Sequence, residues 1–235
     1  MTGPPTTGIW AVIPVKELQG AKQRLAAFLT QDERHRLAVT MMEEVLAALA
    51  GATRLAGIAL VTLDPHATAI ARHNGWRVIT EGARDGHTGS VDAGRAILAA
   101  EGAEGILTLP IDIPAATAAE IDAALSAHSA FTIVPAHDEQ GSNTIILSPP
   151  RAVPLRFGEN SYHPHIAAAR AAGVEPTIIR QPGIAMDIDH PADLAAFLRL
   201  PQSHATRTRA LLEALDVLRR LHNVTHPHAF PPPPR

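Results

Sequence analysis

The sequence predicts an α/β fold, a mostly parallel sheet with helices on both faces. Three observations carry the prediction. Strand-like apolar runs alternate with helical patterns along most of the chain, an order that builds a sheet through helical crossovers. The first run, Trp10-Ala11-Val12-Ile13-Pro14-Val15, is continuously apolar and reads as a strand buried on both faces. Finally, 235 residues with 46% hydrophobic and 18% charged side chains suffice for one domain, or a domain and a half, and argue against a disordered chain.

The elements follow in order. Residues 9–15 form the first strand. Residues 30–49 are helical: Thr30 and Glu33 make a capping box, and Leu37, Met41, Val45 and Leu49 recur on one face. A second strand covers 58–62, and Asp64-Pro65 opens the next helix. A short strand over 76–79 precedes a helix over 90–100 and a fourth strand over 105–109. A helix over 117–128 leads to a strand over 131–134, and Gly141-Ser142-Asn143-Thr144 turns into another that ends at Leu147. Pro149, Pro150 and Pro154 then break the alternation. Beyond them come a helix over 163–172 closed by Gly173, a late strand over 177–179 and a helix over 191–200. We place one domain over 1–200. Residues 201–235, an arginine-rich helix over 205–222 and a proline-rich tail, read as an appendage: either a dimer-packing helix or a frayed end.

Composition removes several function classes. A net charge of −3 supplies no field for nucleic acid, and 3% aromatic residues leave few surfaces for stacking bases. The absence of cysteine excludes disulfides, thiolate catalysis and cysteine zinc sites, and no histidine–carboxylate grouping has zinc spacing. No apolar run has the length of a membrane span, and the start has neither a basic nor an apolar targeting region, so a cytoplasmic protein is expected.

Five constellations carry chemistry. Lys16, Lys22 and Arg24 follow the first strand within nine residues. In an open α/β sheet that position lies in the ligand crevice, so three cations there suit a polyanion such as a triphosphate; otherwise they are ordinary lysines and arginine of a solvated loop. Asp112, in Pro110-Ile111-Asp112-Ile113-Pro114, is either a ligand for a hard cation such as Mg²⁺ or the cap of the helix after Pro114. Asp187 and Asp189 share one face of an extended segment, about 7 Å apart, which favours a cation between like charges; alternatively Asp189 caps the helix starting near Pro191. Ser161, after Gly158, is either an anion-binding hydroxyl or a plain N-cap. A last glycine-rich turn leads into Ser90-Val91-Asp92 and is placed to face a base or ribose. There Asp92 reads guanine, binds ribose, or merely complements the helix dipole.

In this order the pieces resemble the guanylyltransferases of coenzyme F420 biosynthesis. The resemblance runs from about Ile9 to Leu198 through five motifs in register: Ile13-Pro14-Val15-Lys16 with Ala21-Lys22-Gln23-Arg24-Leu25, Pro110-Ile111-Asp112-Ile113-Pro114, Gly141-Ser142-Asn143-Thr144, Phe157-Gly158-Glu159-Asn160-Ser161 with His165, and Asp187-Ile188-Asp189 with Pro191, Asp193 and Leu194. It implies a single-domain, nucleotide-diphospho-sugar-transferase-like (Rossmann-like) fold. It also implies Mg²⁺ on Asp112 and Asp187, with Asp189 serving metal or cap. The phosphorylated acid would be held by Lys16, Thr144, Gly158 and Ser161.

The expected reaction joins GTP to 2-phospho-L-lactate, phosphoenolpyruvate or 3-phospho-D-glycerate and releases pyrophosphate. Lys22 and Arg24 would act on the triphosphate, with Ser90 and Asp92 beside the nucleoside. The partner downstream is the next transferase of the F420 pathway. The chain lacks the glycine-rich loop of the wider nucleotidyltransferase superfamily, which shifts triphosphate binding onto Lys22 and Arg24. Ser90-Val91 is closer to the cytidylyltransferase pattern. A cytidylyltransferase, another sugar-phosphate nucleotidyltransferase, or a nucleotide-sensing module are therefore the competing readings.

Overall fold

A computed structural model describes residues 7–225. Seven strands form one sheet in the order β3-β2-β1-β4-β6-β5-β7. They are β1 (Ile9–Val15), β2 (Gly57–Thr62), β3 (Arg77–Ile79), β4 (Gly105–Thr108), β5 (Phe131–Pro135), β6 (Ser142–Leu147) and β7 (Thr177–Ile178). β1 pairs in parallel with β2 and β4, β2 with β3, and β5 with β7, while β6 runs antiparallel to both β4 and β5. The mostly parallel sheet is thus as expected. β6 is the exception because it follows β5 through the tight turn at Gly141, which leaves no crossover helix.

Alternate strand residues feed two cores. Ala11, Ile13, Val15, Ile58, Leu60 and Leu107 face a cluster built with α1 (Gln31–Gly51), α2 (Pro65–His73) and α4 (Ala118–Ser126). Val12, Ala59, Val61, Ile106, Ile133 and Ile145 face a second cluster with α3 (Gly86–Ala100) and α5 (Tyr162–Ala171). This is why the strands read as solid apolar runs. The predicted caps form: Thr30 accepts from the Glu33 N–H while the Glu33 carboxylate accepts from the Thr30 N–H, and Asp64 caps α2. Gly94 lets α3 lie against the sheet, since a Cβ there would meet Val12 Cγ1 at 2.6 Å.

Helix α3 starts four residues earlier than the pattern suggests, at Gly86. The C-terminal segment differs more. It comprises α6 (Pro182–Ala185), α7 (Pro191–Arg199), a 3₁₀ turn, α8 (Arg207–Ala214) and α9 (Val217–Thr225). Helices α8 and α9 are separate because Asp216 is left-handed, with φ 52°. Leu212 and Val217 are buried with Leu37, Met41 and Phe197 in a third apolar cluster. Arg207 and Thr208 bind Glu44, and Arg220 pairs with Glu33, both carboxylates on α1. The segment to His222 is therefore part of the body rather than an appendage; the proline-rich tail lies outside the described residues. No helix among the described residues is long and apolar enough to cross a membrane.

Candidate active site

The sheet order reverses direction between β1 and β4, and ligand crevices of open α/β sheets form beyond the carboxyl ends of such strands. Two adjoining cavities lie there. The first, about 430 Å³, has an apolar wall of Leu18, Ala38 and Met41 and includes Lys16, Lys22 and Arg24. The second, about 810 Å³, includes Ser142, Asn143, Gly158, Ser161 and Asp187. Arg24, His87, Pro110, Asp112 and Asp189 line both, so the two are lobes of one cleft.

One backbone hydrogen bond joins the two acidic motifs: the Ile188 N–H donates to the Asp112 carbonyl at 3.1 Å. Ile188 is fully buried, and Asp187 and Asp189 on either side of it both line the cleft. Lys22 has a left-handed backbone, φ 56° and ψ 43°, just before a 3₁₀ turn over Gln23–Leu25. From there its ammonium donates to Asp112 Oδ2 at 2.6 Å and to Asp189 Oδ1 at 2.8 Å. Burial pushes the Lys22 pKa down, but the two carboxylates outweigh it and hold the amine above its ordinary value. Lys22, the residue expected at the triphosphate, here neutralises the Asp112 and Asp189 carboxylates.

Arg24 reaches across the mouth of the cleft, 3.2 Å from Glu159 and 3.7 Å from Asp189. Burial alone would raise the Asp189 pKa; Lys22 and Arg24 reverse the sign and hold it low. Neither helix-capping alternative holds. The helix after Pro114 is capped by Thr117, and the Asp193 carboxylate accepts from the Asp189 and His190 N–H groups at the start of α7.

Asp187 differs from its neighbours. Its Oδ1 accepts from Asn143 Nδ2 at 3.0 Å, yet burial, with Asp112 and Asp189 nearby, raises its pKa. Three carboxylates in one place are hard oxygen donors with charge left to neutralise, which fits a divalent cation. Among the described residues no three His, Asp or Glu side chains form a ready cage. Mg²⁺ needs none, since it commonly takes one or two carboxylates and fills its octahedron with water and phosphate oxygens.

Three expected contacts are not brought to the cleft. Thr144 is buried opposite Val134 in the sheet, its hydroxyl lacks a hydrogen-bond partner, and it lines neither lobe. The Ser90 hydroxyl is turned back onto the Gly82 and Gly86 carbonyls, as the earlier start of α3 places it inside the helix. Asp92 lies 2.6 Å from Arg95, one turn along the same helix, and lines neither lobe. Lys16, Gly158 and Ser161 do line the cleft, with Gly158 at φ +144°.

Three further cleft residues carry no sequence signal of their own. His137 stands 3.7 Å from both Asp187 and Asp193. Asn143 ties Asp187 to the Ile184 and Ala185 carbonyls. His87 packs edge-on against Phe157, and burial, opposed by Asp112 and helped by Lys16, lowers its pKa to about 4. Asn143 sits in a motif noted from the sequence and His87 in the glycine-rich turn, Gly86-His87-Thr88-Gly89, that leads into Ser90, but the roles arise only from packing.

The family model described as "Guanylyl transferase CofC like" matches residues 9–221. The chain belongs to this family. Among its relatives is a phosphoenolpyruvate guanylyltransferase of Rubrobacter xylanophilus, 36% identical over 80% of this chain and 92% of that one. A protein of the same name from Conexibacter woesei is 33% identical over 88% and 96%. The guanylyltransferase family places the chain among nucleotidyltransferases, and solved structures agree on the fold. A protein of Desulfovibrio desulfuricans, provisionally described as a nucleotide-diphospho-sugar transferase, superposes with TM-score 0.72 at 19% identity, covering 91% of this chain and 97% of its own. For 4-diphosphocytidyl-2C-methyl-D-erythritol synthase the values are 0.57, 16%, 87% and 98%. At such identities the likeness concerns the fold alone.

Proposed function

We propose that this guanylyltransferase transfers GMP from GTP to a small phosphorylated acid and releases pyrophosphate, a step toward coenzyme F420. The observation that carries the reading is the Asp112–Lys22–Asp189 cluster, with Asp187 beside it, on the wall between two lobes of one cleft. Two anions bound one in each lobe would meet at that cluster. Among 2-phospho-L-lactate, phosphoenolpyruvate and 3-phospho-D-glycerate, the names of the relatives favour phosphoenolpyruvate.

In this mechanism a phosphate oxygen of the acid attacks the α-phosphorus of GTP, and the bond to the β-phosphate oxygen breaks. The attacking oxygen is already ionised at neutral pH, so no general base is required. The protein's task is to align two mutually repelling anions and stabilise charge as it moves. Lys16, expected at the acid, lines the first lobe and not the second, so here it and the apolar wall serve GTP or its phosphates, while Gly158 and Ser161 receive the acid in the second. Lys22 exchanges a carboxylate for the triphosphate as GTP arrives, and Arg24 draws charge toward the leaving pyrophosphate. Asp112 and Asp187, with Asp189 adjacent, would hold Mg²⁺, which supplies charge neutralisation to the phosphates.

The test incubates the protein and Mg²⁺ with each of the four ribonucleoside triphosphates and each acid in turn. Pyrophosphate release and mass spectrometry of the anhydride are the readouts. Product from GTP with one of the acids is expected. Preference for CTP, or pyrophosphate release independent of any acid, would overturn the reading.

A further inference from the structure

Beneath the second lobe runs a chain of polar groups of which the steps above use only Ser161. The Arg156 backbone N–H donates to His165 Nε2 at 2.9 Å. His165 Nδ1 lies 2.9 Å from Ser142 Oγ, and Ser142 Oγ lies 3.2 Å from Ser161 Oγ. His165 is 1% exposed, whereas both serines line the cavity.

The directions of these bonds follow by counting protons. A backbone N–H can only donate, so Nε2 must be the unprotonated nitrogen. Burial lowers the His165 pKa to about 4, so the ring is neutral at pH 7 and carries its one proton on Nδ1. That proton is donated to Ser142 Oγ. Two hydroxyl protons remain, and the bond between the serines uses one of them, whichever serine donates. The last proton has no acceptor among the described residues, and both hydroxyls that can carry it face the lobe.

We infer that His165 and Ser142 are positioning residues that turn the serine pair into a fixed hydrogen-bond donor for an oxyanion of the phosphorylated acid. The opposite tautomer would take a serine proton and leave the lobe facing an acceptor, which repels an anion. The Arg156 N–H forbids that state. Phe157, with its ring centroid 5.0 Å from that of His165, shields the imidazole on the cleft side and helps hold the ring in place. The inference rests on the acid occupying the second lobe, as proposed above.

Ser142→Thr and Ser142→Val have nearly the same shape and differ by the hydroxyl, so a purely structural cost is common to both. In the intact protein with GTP and Mg²⁺, Ser142→Val is expected to raise KM for the acid about tenfold or more over Ser142→Thr, the scale of a hydrogen bond to a charged group. KM for GTP should be equal in the two. Independently, ¹⁵N NMR of the ring in the unmodified protein should find Nδ1 protonated and Nε2 bare from pH 6 to 8. Equal acid KM values for the two variants would overturn the inference. So would a proton on Nε2, a readout that stands even where neither variant folds. If the unmodified protein accepts no phosphorylated acid, the proposed function fails instead, and the two failures are distinct.

Discussion

Asp187 shows how one side chain can be unfavourable for folding and needed for chemistry. Its pKa is raised above the ordinary 3.8 by burial and by two neighbouring carboxylates. A carboxyl whose folded pKa exceeds its unfolded one favours the folded state below the unfolded value, and that contribution is lost as pH rises through the folded value. Metal-free Asp187→Asn should therefore melt higher than the parent at pH 7, with the gap closing as pH falls through the raised folded value toward about 4. The same substitution should lower turnover with Mg²⁺ by about 10²-fold or more, because it removes a charged ligand from the place where phosphate charge is neutralised. Calorimetric melting in chelator and a pyrophosphate-release assay test the two halves. A variant that melts lower, or that turns over normally, would contradict this account. Sequence spacing was enough to pair Asp187 with Asp189 on one face. It was not enough to find Lys22 between Asp112 and Asp189, because that contact joins residues 90 and 167 positions apart.

At the scale of elements, local signals predicted what local forces decide. The capping box at Thr30 forms where its four-residue motif stands in the sequence, and strand runs are legible because burial on both faces demands apolar residues throughout. Ser90 and Asp92 were misplaced because the start of α3 depends on Gly86 at φ +77° rather than on a visible cap. Helix α1 offers a test of long-range support. Glu33 at its first turn has its pKa lowered from 4.5 to about 2, chiefly by hydrogen bonds from Arg220 on α9 and against a burial penalty, with a further bond from the Thr30 N–H. A depressed carboxyl contributes stability above its unfolded pKa and loses it as pH falls through the folded value. The parent should thus lose stability between pH 4.5 and about 2, and Arg220→Met should flatten that part of the profile. Urea unfolding at pH 6, 4 and 3 measures it; an unchanged acid slope would mean that α9 does not support α1.

The whole molecule depends on the packing between its ends. Alternation along the chain predicted the order of layers, but it carries no signal for the third apolar cluster, in which residues from the loop after β1, from α1, from α7 and from α8–α9 converge. A polar, arginine-rich helix reads as solvated when its partner is unseen. Here the arginines cover the edge of α1, with Arg207 and Arg220 on Glu43 and Glu33, while Leu212 and Val217 point inward. The cluster also contains Leu25 and Leu29, which anchor the loop that carries Lys22 and Arg24, and Ile188, which separates the two aspartates of the cleft. Removing residues 201–235 should therefore do more than shorten an appendage. Burial of Leu212 and Val217 alone contributes about 3 kcal/mol or more, and their loss would expose Leu37, Met41 and Phe197 as well. The truncated protein should unfold at distinctly lower urea concentration, and any folded fraction should bind GTP more weakly because the Lys22 loop has lost its floor. Equilibrium unfolding paired with calorimetric titration of GTP tests both effects. Unchanged stability would return the segment to an appendage, whereas lower stability with intact GTP affinity would detach the loop from the cluster.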